Sequence, residues 1–261
     1  MTSQVKQSLQ LFLSGLVDYA GLFPPAGLDM REALWRYERY QREERGFALG
    51  RFVVQSHQLT EVPDDVPVSV LCAPGEMPPR GDVLEVKAST EAEVEMIAAA
   101  QRDATVYVEV NDLNLLDAVA RNGLRAKIRT GGITADAFPA VDKVAQFITG
   151  CYARGVPFKA TAGLHHPIRC DKPLTYEADA PSGTMHGFVN VFVAAMLPKQ
   201  ASKILADENP RSFAFDDGGL WWRDFRVTND EIARVRREFA ISFGSCSFEE
   251  PFVDLAELGW L

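Results

Sequence analysis

The amino-acid sequence predicts an α/β protein: a single (β/α)8 TIM-type barrel with extra N-terminal helices. The chain has 261 residues, and about 250 residues is the usual size of such a barrel. Short β-rich segments recur along the chain after residue 50, and helical patterns lie between several of them. Strands that alternate with helices indicate βαβ units and a parallel sheet. Eight strand signals indicate that this sheet closes into a barrel.

The first 50 residues are expected to form a helical extension outside the barrel or across one end of it. Apolar residues recur at helical spacing over residues 5–16, and residues 30–44 form a second amphipathic stretch, as surface helices do. We therefore divide the chain into an N-terminal helical extension at 1–50 and a (β/α)8 barrel at 51–261, which together make one structural domain. The segment DYAGLFPPAG at 18–27 is unusual for a linker, and it either covers the barrel mouth or packs without a ligand.

The predicted barrel strands are short runs rich in β-branched and aromatic residues. Helix signals between them agree, because Thr90 and Thr134 precede acidic first turns, while Gly123 and Gly155 follow helix ends. An open doubly wound sheet is less favoured, since neither a GxGxxG turn nor two similar halves are present. The eight strands are predicted at 51–57, 66–72, 82–88, 105–110, 125–132, 157–163, 212–217 and 240–246, and the helical patterns lie at 89–103, 113–123, 134–155 and 184–197.

Composition limits the possible partners and compartments. The net charge is −9, which argues against a nucleic-acid-binding surface, although a few buried cations can still attract an anionic substrate. No apolar run is long enough to span a membrane. The four cysteines form no CxxC pair, so we expect reduced thiols in a cytoplasmic protein. Barrels often form closed assemblies, and a homo-oligomer is compatible with this chain.

Strand parity predicts that charged residues point into the barrel. In four neighbouring strands one face is apolar and must meet the helices, so the opposite face points inward. Interior ion pairs are one explanation, but buried pairs seldom add net stability. A catalytic mouth explains the pattern better, and its surplus cations would suit a carboxylate or phosphate. The inward residues are Glu85 and Lys87, Glu109, Lys127 and Arg129, and Lys159 and Thr161.

All four histidines fall near the predicted carboxyl ends of strands. They are His57, His165, His166 and His186. One interpretation is that His165, His166 and His186 hold a divalent metal ion together with Glu109, although no HxH or HExxH spacing is present. The other is that His165 or His166 shuttles protons, with no metal or other cofactor required.

Lys159 is the candidate nucleophile. Neighbouring cations and burial would both lower the pKa of its amine and favour Schiff-base chemistry, although the same residue could simply bind an anion. Asp216 ends the predicted strand 212–217 and is a candidate acid or base. Ser245 ends the last strand, where barrels often hold phosphate. Cys246 has no histidine and acid in a recognisable triad spacing, so the sequence does not identify it as a nucleophile.

Two short segments resemble the class I, Schiff-base aldolases of the deoxyribose-phosphate aldolase type. FKATAG is similar to that family's KxSTG-like run on the sixth strand, which would match Lys159, Thr161 and Gly163. KIRTGG is similar to its second lysine motif, K-x-SGG, and would match Lys127. In the family the second motif follows the Schiff-base strand, whereas here it precedes it, and the fourth-strand acid would be matched by Glu109. The resemblance implies a barrel fold and an aldolase-type reaction.

Three functional hypotheses follow. The first is a lyase of the aldolase type that acts on a small anionic carbonyl substrate, with Lys159 forming the imine and Glu109, His165, His166 or Asp216 moving protons. The second is a metal-dependent lyase, isomerase or hydrolase that uses the histidines. The third is a non-catalytic barrel that binds a small anion. The expected substrate-binding residues are His57, Lys87, Lys127, Arg129, Thr161, His186 and Ser245.

Overall fold

The computed structural model describes residues 5–76, 78–100 and 104–261. Eight parallel strands form a closed barrel with helices between strands, which confirms the predicted fold class. The strands are β1 Val17–Tyr19, β2 Leu49–Gln55, β3 Val68–Cys72, β4 Val83–Ala88, β5 Thr105–Val110, β6 Arg125–Arg129, β7 Phe158–Thr161, β8 Cys170–Pro173, β9 Ser182–Met185, β10 Phe213–Phe215, β11 Gly219–Trp222, β12 Phe225–Thr228 and β13 Ala240–Ser245.

The barrel consists of β1 to β7 in chain order, with β13 as its eighth strand. Closure depends on β1, which pairs in parallel with β13 on one side and with β2 on the other. Because all eight strands are parallel, their carboxyl ends meet at one rim. Loops that follow β1 to β7 and β13 are therefore gathered around a common mouth.

One predicted barrel strand is wrong. The segment predicted at 212–217 forms β10, which pairs antiparallel with β11, and β11 pairs with β12 in a separate three-stranded sheet. Its place in the barrel is taken by β1, so the barrel begins before residue 51. The alternation of apolar and polar residues indicates an extended segment, but it does not determine which strand that segment pairs with.

The helices largely follow the predicted patterns, including the two amphipathic helices ahead of residue 50. Of the helix predicted at 89–103, residues 101–103 lie outside the described residues. The α-helices are α1 Gln7–Leu13, α2 Met30–Arg42, α3 Glu91–Ala100, α4 Leu116–Arg121, α5 Val141–Arg154, α6 Phe188–Met196, α7 Ala201–Leu205, α8 Asn229–Glu238 and α9 Glu249–Glu257, and 3-10 turns cover Glu44–Ala48, Ser56–Glu61, Leu113–Leu115, Ala135–Ala137, Pro198–Gln200 and Pro210–Ser212.

Local chemistry explains several helix ends. Thr228 and Glu231 form a reciprocal capping box at the start of α8. Gly155 ends α5 with a φ of 64°, a left-handed conformation that glycine adopts without steric penalty. Helix α6 is buried along almost its whole length, which fits a segment that is apolar on every side. Across the described ranges, no helix has both the length and the apolar character needed to cross a membrane.

The hydrophobic core lies between the barrel and its helices. Leu84, Val86 and Val108 contribute to it from the outward faces of β4 and β5, as strand parity predicts. The opposite faces of these strands point into the barrel, where charged side chains meet one another. This interior leads directly to the mouth.

Candidate functional site

A cavity of about 220 Å³ opens at the carboxyl ends of the barrel strands. We call it the mouth cavity. Its floor and walls include Glu85, Glu109, Lys127 and Arg129, and the loop after β1 contributes residues 20 and 23–25. The segment at 18–27 therefore reaches the mouth. The full lining is Ala20, Phe23, Pro24, Pro25, Val53, Leu71, Glu85, Glu109, Lys127, Arg129, Gly132, Ile133, Thr161, Ala162, Gly163, His165, Gly244 and Cys246.

An ion-pair network fills the barrel interior beneath this cavity. Lys159 Nζ lies 2.6 Å from Asp18 Oδ2 and 2.5 Å from Glu85 Oε1. Lys127 Nζ lies 2.8 Å from Glu85 Oε2 and 3.0 Å from Glu109 Oε2. Glu85 thus bridges the two lysines, and the network joins side chains from β1, β4, β5, β6 and β7. The interior ion pairs expected from strand parity are present, and part of the network lines the cavity.

The two lysines differ in their access to the cavity. The Lys159 side chain is 1% exposed and is not among the described residues that line the cavity. Lys127 is 6% exposed and forms part of the lining. A molecule in the cavity would therefore meet the amine of Lys127 before that of Lys159.

The expectation that Lys159 has a lowered pKa is wrong. Burial alone lowers its pKa, but the charges of Asp18 and Glu85 and their hydrogen bonds outweigh burial and raise it. Burial likewise acts to raise the pKa of Glu85, but Lys127 and Lys159 hold that pKa well below its ordinary value. The charged form of Lys159 is therefore favoured, because its nearest charged neighbours are acids rather than the expected cations.

Hydroxyl and amide groups complete the network. The Ser69 hydroxyl donates to Glu85 Oε1 at 2.7 Å, and the Ser242 hydroxyl donates to Asp18 Oδ2 at 2.7 Å. The amide of Arg51 donates to Asp18 Oδ1 at 2.8 Å. Buried charges are tolerated where the partners and remaining lone pairs are satisfied in this way.

Small residues let the loops after β6 and β7 approach each other at the rim. A Cβ on Gly131 would lie 2.9 Å from the Cα of Gly163, and Gly163 has a φ of 71°, so a larger residue would displace one of the loops. Thr130 ties them together through a 2.7 Å hydrogen bond to the carbonyl of Ala162. Arg129 is exposed at this rim, with its Nε donating to the carbonyl of Gly131 at 3.1 Å.

The four histidines do not converge. His165 lines the mouth cavity, but His166 pairs with Asp254 at 2.5 Å, and buried His186 lies 2.7 Å from the carbonyl oxygen of Pro139. His57 is exposed in the 3-10 turn after β2. In the described part of the chain, no group of three or more His, Cys, Asp or Glu side chains could hold a metal ion. The predicted donor set of His165, His166, His186 and Glu109 is therefore not assembled.

A cluster that the sequence did not reveal lies at one side of the mouth cavity. His165 Nδ1 is 3.0 Å from Glu250 Oε2, and its Nε2 is 4.0 Å from Cys246 Sγ. The Tyr176 hydroxyl donates to Glu250 Oε2 at 2.9 Å and lies 3.9 Å from the same sulfur. We call these four residues the thiol cluster. The fold brings them together from four separate segments, so no spacing could have indicated it.

The remaining predicted site residues have other positions. Asp216 is exposed in a turn outside the barrel, where its carboxylate accepts from the amides of Gly218 and Gly219 at 2.7 and 2.9 Å. Its predicted place at the mouth depended on β10 being a barrel strand. The Ser245 hydroxyl donates to the carbonyl of Ser247 at 2.7 Å. Lys87 is exposed, and among the described residues the cavity lining includes neither Lys87, Ser245, His57 nor His186, whereas Thr161 belongs to it.

Comparisons with known proteins were made for the whole chain. No protein-family model matches it, and no curated protein matches it. Among solved structures, a protein assigned as a deoxyribose-phosphate aldolase from Coccidioides immitis is similar with a TM-score of 0.42 and 11% identity, over 63% of this chain and 78% of that one. A protein from Clostridium thermocellum that binds two copies of 5-methyl-5,6,7,8-tetrahydrofolic acid has a TM-score of 0.39 and 11% identity, over 96% and 97% of the two chains.

A third solved structure, of mandelate oxidase with 3,3-difluoro-2-hydroxy-3-phenylpropionic acid, has a TM-score of 0.42 and 8% identity, over 99% of this chain and 80% of that one. The barrel itself is established by the strand order of this chain.

Proposed function

We propose that this chain is a barrel enzyme, a lyase of the aldolase type, that forms an imine between Lys127 and a small anionic carbonyl substrate. The observation that carries the proposal is the position of Lys127: its amine lines the mouth cavity and lies 3.0 Å from the carboxylate of Glu109. Lys159, the first candidate from the sequence, takes a supporting role beneath it.

The corrected strand order supports this exchange of roles. With β1 counted first, KIRTGG lies on the sixth barrel strand and FKATAG on the seventh. By strand position, Lys127 takes the sixth-strand place of the Schiff-base lysine and Lys159 the later one, although KIRTGG still precedes FKATAG and the order of the two motifs stays reversed. The fourth strand now carries Glu85 as its interior acid. The exchange of roles therefore follows strand position and not the match of the motifs.

The interior charges suit imine formation on Lys127. Only the neutral amine can attack a carbonyl carbon, so the ammonium of Lys127 must first lose a proton, and Glu109 is within reach to accept it. Lys159 stays protonated and shares Glu85 with Lys127.

The reaction then follows from the electron demand of the imine. The Lys127 nitrogen bonds to the carbonyl carbon, and water leaves as the protonated imine forms. The protonated imine withdraws electrons from the carbon next to it. The bond between that carbon and the following carbon can therefore break, and a second carbonyl compound leaves. Proton transfers to and from the substrate are assigned to Glu109 and His165, which both line the cavity.

Two cationic groups at the rim suit an anionic substrate. Arg129 lines the cavity with its side chain exposed. Burial acts to lower the pKa of His165, but hydrogen bonds with Cys246 and Glu250 outweigh it and raise the pKa to about 10, so the ring readily takes up a second proton. An arginine and an imidazolium can bind a carboxylate or phosphate through charge-assisted hydrogen bonds.

Borohydride trapping tests the proposal directly. The protein is incubated with pyruvate or glyoxylate, reduced with borohydride and digested, and the modified lysine is identified by mass spectrometry. We expect the adduct on Lys127 in the unaltered protein and in the control Lys87→Met, whose exposed lysine lies two strands away. Lys127→Met should give no adduct. A carbon–carbon lyase activity that persists in Lys127→Met, or an adduct on Lys159 instead, would overturn the assignment.

Two further measurements, of stabilisation by pyruvate and of activity in chelator, separate the two alternatives. A non-catalytic anion-binding barrel would be stabilised by pyruvate without any adduct or turnover. A metal-dependent enzyme would lose activity in chelator and recover it with a divalent ion, but the dispersed positions of His165, His166 and His186 do not favour it.

A further inference from the structure

We propose that the thiol cluster is a second nucleophilic site, in which Cys246 passes its proton to His165 and reacts with a carbon electrophile held in the mouth cavity. The imine chemistry proposed for Lys127 makes no use of this thiol. The electrophile belongs to the class of aldehydes and activated carbonyl compounds, which a thiolate attacks readily.

The geometry has the three parts of an activated nucleophile. Cys246 Sγ faces His165 Nε2 at 4.0 Å, and His165 Nδ1 is held by Glu250 at 3.0 Å. A carboxylate on Nδ1 fixes the ring so that Nε2 points at the sulfur, which is the arrangement of nucleophile, base and orienting acid. Such contacts are often long before a substrate binds. Cys246 is 7% exposed and belongs to the lining of the mouth cavity, so the cavity is the side from which an electrophile would approach it.

Titratable groups from several elements surround the sulfur. His165 after β7 and Tyr176 between β8 and β9 lie 4.0 and 3.9 Å from it, and Tyr19 in β1 interacts with it electrostatically. Burial raises the pKa of both tyrosines, so they remain neutral. Glu250 opposes a second negative charge, but its carboxylate is engaged by His165 and by the Tyr176 hydroxyl.

The other three cysteines provide an internal contrast. Burial raises the pKa of Cys72 to about 12 and that of Cys170 to about 11, and Cys151 is fully buried with a raised pKa. None of these three thiols belongs to the described lining of the mouth cavity. Cys246 is therefore the thiol whose surroundings combine access to the cavity with a proton acceptor.

The reaction balances without an oxidant or a cofactor. The proton of the thiol moves to His165 Nε2, and the sulfur bonds to the carbonyl carbon of an aldehyde. The electron pair of the carbonyl double bond moves to its oxygen, which takes the proton from His165. The product is a thiohemiacetal, and its formation is reversible. With an alkyl iodide as probe, the sulfur bonds to carbon and iodide leaves.

Alkylation by iodoacetamide tests the proposal without needing any substrate or turnover, so its outcome is separate from that of the imine test. The rate at each cysteine is followed by peptide mapping across a range of pH. We expect Cys246 to react roughly tenfold or more faster than Cys72 and Cys170 near neutral pH.

Two histidine variants test whether His165 causes the high reactivity of Cys246. His165→Gln should slow the alkylation of Cys246 about tenfold. His166→Gln is the matched control, because the neighbouring ring pairs with Asp254 instead, and it should leave the rate unchanged. Melting temperatures close to that of the unaltered protein would exclude misfolding. Equal rates at Cys246 and Cys72, or an unchanged rate in a folded His165→Gln, would overturn the proposal.

Discussion

Replacing Lys159 with methionine tests whether the interior network needs its buried ammonium. The substitution keeps most of the side-chain volume but removes the charge that lies 2.6 Å from Asp18 and 2.5 Å from Glu85. Removing one partner of a buried ion pair costs about 3–5 kcal/mol. Both carboxylates keep other partners, since Ser242 donates to Asp18 and Lys127 pairs with Glu85. We therefore expect the free energy of unfolding to fall by an amount near the lower end of this range, about 3 kcal/mol.

Urea denaturation followed by fluorescence measures this loss. Typical domains are stable by about 5–15 kcal/mol, so the variant should remain folded near neutral pH. Lys203→Met is the matched control, because Lys203 is exposed on α7 and its loss should change stability by less than about 0.5 kcal/mol. Adding Asp18→Asn to Lys159→Met removes an unpaired charge and should recover part of the loss. A Lys159→Met protein within about 1 kcal/mol of the unaltered one would refute the reasoning, since buried pairs broken on one side are strongly destabilising.

Three further outcomes are expected. Glu109→Gln removes the base beside Lys127 and should slow imine formation about 100-fold, as measured in single-turnover trapping. Arg129→Gln should weaken binding of pyruvate by about 1.5–3 kcal/mol but leave binding of a neutral aldehyde nearly unchanged, as measured by titration calorimetry with each compound. The depressed pKa of Glu85 contributes stability that is present above its ordinary value of 4.5 and is lost as the pH falls below it. Glu85→Gln should therefore flatten the acid limb of the pH–stability curve, and an equally steep limb in the variant would contradict this.

Much of the barrel was predictable from local patterns. Seven of the eight barrel strands were predicted at or near their observed positions, because each has a run of alternating or apolar residues bounded by turn signals. The exception, Val17–Tyr19, is three residues long with an aspartate at its centre, so it has too little pattern to be recognised. Phe213–Phe215 has a strand pattern and is a strand, but its hydrogen bonds are made outside the barrel.

Strand parity also predicted that Glu85, Glu109, Lys127 and Lys159 point inward, and their mutual contacts agree. Strand parity does not determine which lysine lies at the cavity and which lies beneath it. That depends on the register between neighbouring strands and on the acid from β1. The pKa of Lys159 was expected to be lowered because β1 was not recognised as a barrel strand. Asp18, whose charge helps to raise that pKa, was therefore not expected in the barrel.

The sequence by itself determined the fold class, the inward faces of four neighbouring strands and the end of the barrel where charged residues gather, because these follow from local periodicity. The tertiary structure alone decided the partners. Cys246, His165 and Glu250 come from different loops and a helix, and Lys159 meets Asp18 from the far end of the chain. The contact of Lys159 with Asp18 arises when β1 closes the barrel, and that of His165 with Cys246 arises where β13 pairs with β7. Both depend on pairing between strands that are distant in sequence.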